Sequence, residues 1–123
     1  MEQLILHLIG DYVTQTNWMA KNKSNILIVA IHSAVYSLPF FLLSQSVLAI
    51  TVIFISHVAI DRFRLARFII FAKNKVTEPD LQWADTGKTG FHKDTPDWLA
   101  GWLFIIVDNT IHLTINYASL RWL

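Results

Sequence analysis

Apolar residues fill positions 24–60 so completely that no Lys, Arg, Asp or Glu interrupts them. As one helix this stretch would run roughly 55 Å, too long for a single crossing of a ~30 Å hydrocarbon layer. The polar tripeptide Ser44-Gln45-Ser46 divides it, which predicts a tight helical hairpin with helices over about 25–43 and 47–70. A second charge-poor stretch, 98–120, holds a single acid, Asp108, and follows Thr95-Pro96-Asp97. A capping hydroxyl, a proline at the first helical position and an early acid all favour a helix start, so a helix is expected over 96–120. Residues 3–20 also contain one acid, Asp11, yet Thr14, Gln15, Thr16 and Asn17 suit a lipid-facing surface poorly. That segment reads as a helix shielded by the others, or one only partly inserted. With no basic start and no small-residue cleavage site after its apolar run, it is not expected to be a cleaved signal. Residues 72–95 are polar, carry Pro79, Gly87 and Gly90, and read as a loop. The expected architecture is all-α: a single integral membrane domain over 1–123, a bundle of about four helices.

Composition sharpens this picture. The chain is 54% hydrophobic and only 15% charged, where soluble domains carry about 25% charged residues. A net charge of +1 is too neutral for a dedicated nucleic-acid binder. Cysteine is absent, so disulfides, thiolate nucleophiles and thiolate metal sites are excluded. Lys21 and Lys23 follow the first helix, and Arg62, Arg64, Arg67, Lys73 and Lys75 cluster around the end of the third. By the positive-inside rule these mark the cytoplasmic face, which places the 72–95 loop in the cytoplasm. Trp18 and Trp98 then fall at that boundary and Trp122 at the opposite one.

Within these apolar helices stand three His/Asp pairs at i,i+4 spacing: His7 with Asp11, His57 with Asp61, and Asp108 with His112; His32 lies alone in the second helix. Residues four apart share a helix face, so each pair can aim at one point inside a bundle. Gln15, Tyr36 and Asn116 extend the stripes. Counted from the expected cytoplasmic helix ends, all seven groups fall in one layer, roughly 10 to 22 Å deep. An acid at the centre of a membrane helix costs ~2.5 to 3.5 kcal/mol. Hydrogen bonds that merely join helices could be made by Ser, Thr or Asn at lower cost, whereas a divalent metal demands imidazole and carboxylate. His7, Asp11, His32, His57, Asp61, Asp108 and His112 are therefore the candidate ligands. Zinc is foremost, manganese and iron suit the same donors, and seven groups allow one ion with outer carboxylates or two ions.

An ion of this kind lowers the pKa of bound water toward about 7, which makes hydrolysis the expected chemistry, with Asp61 and Asp108 as catalytic carboxylates. No Gly-x-Ser-x-Gly elbow is present, and Gly87-Lys88-Thr89 fails as a P-loop because Gln82 stands where its first glycine is required. Arg62, Arg64 and Arg67, close after Asp61, are candidate substrate-binding groups for a phosphate or an anionic lipid headgroup. His92 reads as a surface residue. Two rivals use the same polar layer. One is half of a homo-oligomeric proton-coupled transporter, and the other is a phage membrane-interaction protein with a structural polar core. The apolar stretches outside the layer favour a closed site over a through-path.

The segments His7-Leu8-Ile9-Gly10-Asp11-Tyr12, Gln15-Thr16-Asn17-Trp18, His57-x-x-Ile60-Asp61-Arg62-Phe63-Arg64 and Asp108-Asn109-x-x-His112-Leu113 resemble those of the domain-of-unknown-function family 3307. The likeness covers nearly the whole chain. It implies a small polytopic protein of the bacterial inner membrane or of phages, and it implies no particular reaction. The His/Asp layout is also loosely similar, in ligand type alone, to membrane-embedded metal hydrolases of the ceramidase type.

Overall fold

The computed structural model describes residues 1–123 and is all-helical. α1 (Glu2–Leu8) runs into a π-helical turn (Ile9–Val13), and after a break comes α2 (Asn17–Lys21), its start capped by the Thr16 hydroxyl accepting from the Met19 N–H at 3.2 Å. The single helix expected over 3–20 is thus three pieces. Thr14, Gln15 and Thr16 bond locally where the ladder breaks, with the Thr14 hydroxyl donating to the Gly10 carbonyl at 2.8 Å and the Gln15 amide to the Asp11 carbonyl at 3.1 Å. α3 (Ile26–Ser37) starts at Asn25, whose side chain accepts from the Leu27 N–H at 2.9 Å. It tightens into a 3₁₀ turn over Leu38–Leu42, where Pro39 has no N–H to give. Ser44 and Ser46 start α4 (Val47–Phe63) by side-chain caps, as the polar tripeptide suggests.

The helix expected over 47–70 ends early. Arg64 has φ 51, the left-handed conformation that closes helices, and α5 (Ala66–Thr77) begins beyond it. α5 also carries helix into the first residues of the expected loop. A short 3₁₀ turn (Trp83–Asp85) and a bridge between Thr86 and His92 order part of the remaining loop. α6 (Asp97–Trp122) is the one helix long and apolar enough to cross a membrane, and Ile26–Leu42 is a shorter apolar run.

Two compact units are present: residues 1–63 with 112–123, and residues 64–111. In the first, α3 packs along α4, and Tyr36, Phe40, Ile50 and Ile53 form a core with Leu6, Leu43 and Leu120 against it. In the second, Ile70, Phe91 and Ala100 are covered by Leu103, Phe104 and Val107. The first unit also buries many polar groups. Its interior holds His7, His32, Ser33, Ser37, His57, Asp61, His112, Asn116 and Ser119, while Leu8, Ile26, Leu27, Ile31, Leu42, Val47 and Ile55 lie outside.

Candidate metal centre

Four helices of the first unit each bring polar groups inward. α1 carries His7 in its last turn, and the π turn carries Asp11. Its wider winding, closed by the Thr14 N–H on the Ile9 carbonyl at 3.0 Å, resets the direction in which Asp11 projects. Glycine is required at position 10, because a Cβ there would run into the Tyr36 ring. His32 and Tyr36 share the buried face of α3, His57 and Asp61 that of α4, and His112 and Asn116 that of α6.

The groups meet closely. His32 Nε2 and His57 Nε2 face each other at 3.1 Å, and Asp11 Oδ1 lies 3.4 Å from both. Asp61 Oδ2 stands 3.7 Å from His32 Nε2 and 3.5 Å from His57 Nε2. His112 Nε2 is 3.7 Å from Asp61 Oδ1, and His7 Nδ1 is 3.6 Å from Asp11 Oδ2. None of the four imidazoles is more than 2% exposed. Tyr36 braces them: its ring stacks on His57 at 3.8 Å between centroids, its hydroxyl accepts from the Asn116 amide at 2.6 Å, and the same hydroxyl is 2.8 Å from His7 Nδ1.

This arrangement favours a cation. Two imidazole nitrogens at 3.1 Å repel through their lone pairs unless a proton or a metal ion lies between them. Two buried carboxylates are balanced by one ammonium, that of Lys23, whose Nζ is 2.7 Å from Asp61 Oδ2. Asp11 Oδ1, the Nδ1 atoms of His32 and His57 and, its ion pair with Lys23 apart, Asp61 Oδ2 are buried with no hydrogen bond. Ligands about 2.0–2.1 Å from a tetrahedral zinc ion stand about 3.3 Å apart. The triangle of His32 Nε2, His57 Nε2 and Asp11 Oδ1, with sides of 3.1, 3.4 and 3.4 Å, is close to one face of such a tetrahedron. His32, His57 and Asp61 form a second, looser group, and Asp11, His57 and His112 a third.

Of the seven expected ligands, His7, Asp11, His32, His57, Asp61 and His112 come together in this unit. Asp108 lies in the other unit, half-buried, one turn before His112 on α6. The three arginines each engage an aromatic ring. Arg62 lies over Phe63 at 5.7 Å. Arg64 lies over Phe104 at 5.0 Å and donates to the Lys88 carbonyl, and Arg67 lies over Trp83 at 4.6 Å. The cation that does reach the cluster is Lys23, which sequence reasoning assigns only to the basic belt. Its position just ahead of α3 gives no sign that its stem turns inward.

Residues 1–118 match the family described as "Protein of unknown function (DUF3307)". No curated protein and no solved structure matches the chain.

Proposed function

The chain belongs to the DUF3307 family of proteins of unknown function, and from the geometry of its site we propose that it is a membrane-embedded, metal-dependent hydrolase. The observation that carries this reading is the buried triangle of His32, His57 and Asp11, with sides of 3.1, 3.4 and 3.4 Å. Three protein ligands with a fourth position open is the pattern of a catalytic zinc site. A bound divalent ion would supply a water acidic enough to ionise near neutral pH. The chain's own groups do the rest: Tyr36 and Asn116 hold the imidazoles in place, the apolar exterior excludes bulk water, and Asp61 offers a carboxylate beside the reacting position.

The membrane setting is supported by the buried polar groups and exposed aliphatic ones. Aliphatic side chains such as Leu27 (66% exposed) and Leu42 (81%) on the outside, with His and Asp within, suit lipid rather than water as the surrounding solvent. α6 and the helical hairpin of α3 and α4 would then be spans of a multi-pass protein in the bacterial inner membrane, with Lys21, Arg62 and the residues after α5 toward the cytoplasm. The substrate class this favours is a membrane-associated ester, a phosphate-bearing lipid foremost.

The test is turnover. Zinc-loaded protein incubated with membrane lipid extracts is expected to release a hydrolysis product, and His57→Ala is expected to release none. A metal-independent proton flux in liposomes that Asp108→Ala abolishes, with lipids unchanged, would establish the transporter instead.

A further inference from the structure

We propose that Lys23 decides which carboxylate holds the ion: by occupying Asp61 Oδ2 it leaves the metal to His32, His57 and Asp11. This rests on the metal-site reading and assigns separate roles within it. Asp61 Oδ2 faces both imidazole nitrogens, at 3.5 and 3.7 Å, and the same atom receives Lys23 Nζ at 2.7 Å. A divalent ion on that oxygen would stand close to an ammonium in a nearly dry interior, where like charges repel strongly. Asp11 Oδ1 has no such competitor: the imidazoles of His32 and His57 are the basic groups that pair with it. It is also closer than Asp61 Oδ2 to His32 and His57, at 3.4 Å from each.

Exposure supports the same division. The Asp61 side chain is 3% exposed, whereas that of Lys23 is 32% exposed. The lysine therefore reaches from the edge of the unit into its interior, with its apolar stem covering the path and its charge committed to one oxygen. Lys23 is on this account a positioning residue. It holds Asp61 beside the ion as an unligated carboxylate and leaves the fourth coordination position to water.

Cobalt(II) is the probe, because its visible absorption reports coordination number where zinc is silent. The full chain in detergent is expected to take up one cobalt with the intense absorption of a four-coordinate site. Asp11→Asn should weaken cobalt binding by about tenfold or more, while Asp61→Asn changes it by less than about threefold. Lys23→Met frees Asp61 to join the ion, so absorption should fall as coordination rises and affinity should increase by about tenfold, with Lys23→Arg restoring the original spectrum. A Lys23→Met protein with unchanged spectrum and affinity would overturn the proposal, as would loss of cobalt from Asp61→Asn as complete as from Asp11→Asn. The comparison of the two aspartate variants decides the matter even where Lys23→Met does not fold. Failure of the original chain to take up cobalt would sink the metal reading itself, a result distinct from either.

Discussion

A single methyl group at position 10 would meet the Tyr36 ring, which is fully buried and stacks on His57. Gly10→Ala is therefore expected to cost about 1–3 kcal/mol, the usual cost of overpacking, and to be seen as a lowered melting temperature in detergent. Tyr36→Phe keeps the stack on His57 but removes the hydroxyl that accepts from Asn116, leaving a buried amide short of that partner. A loss of about 1–3 kcal/mol with metal content retained is expected, checked by melting and elemental analysis on the same sample. At this scale much of the site is legible in the sequence. The four-residue spacing of His7 and Asp11 crosses into a π turn, whereas His57 and Asp61 announce themselves because polar groups at the same spacing in an apolar helix share a direction. Lys23 does not, since a lysine beside a helix end looks the same whether it reaches water or a buried aspartate. The ring contacts of Arg64 and Arg67 depend on Phe104 and Trp83, residues distant in sequence, and local spacing carries no trace of them.

Among the elements, the hairpin of α3 and α4 follows from its pattern: two apolar runs, a polar tripeptide, serine caps. The end of α4 does not. The left-handed residue that closes it is Arg64 at φ 51, a place where glycine would have given the signal. An L-residue there costs about 1–2 kcal/mol, offset in this chain by the Phe104 ring and the Lys88 carbonyl. Arg64→Val, β-branched and without those contacts, is expected to melt well below Arg64→Gly, which relieves the backbone; equal melting temperatures would contradict this explanation of the helix end. Gly90, at φ 85 and packed on the Arg67 carbonyl, takes a positive φ in the loop between α5 and α6, where glycine does give the signal. The π turn that carries Asp11 is equally hidden, because i,i+4 spacing predicts an ordinary helix and nothing in the composition of Ile9–Val13 marks a wider one.

For the whole molecule, the absence of charge from residues 24–60 and the long apolar helix Asp97–Trp122 make a helical protein with a strongly apolar exterior legible from composition and pattern alone. The proposed orientation places Asp85 in the cytoplasm, so an Asp85→Cys variant in intact cells is expected to resist a membrane-impermeant thiol reagent until the membrane is opened. Labelling from outside would reverse the topology. The proposed chemistry depends on the ion. Imidazoles at 3.1 Å and a carboxylate oxygen at 3.4 Å from each could hold a divalent cation among them, and a proton shared between the two rings is the alternative. Elemental analysis of protein purified without chelators tests this most directly. About one divalent ion per chain, zinc foremost, is expected, lost from both His32→Ala and His57→Ala; a substoichiometric content that neither substitution changes would contradict it.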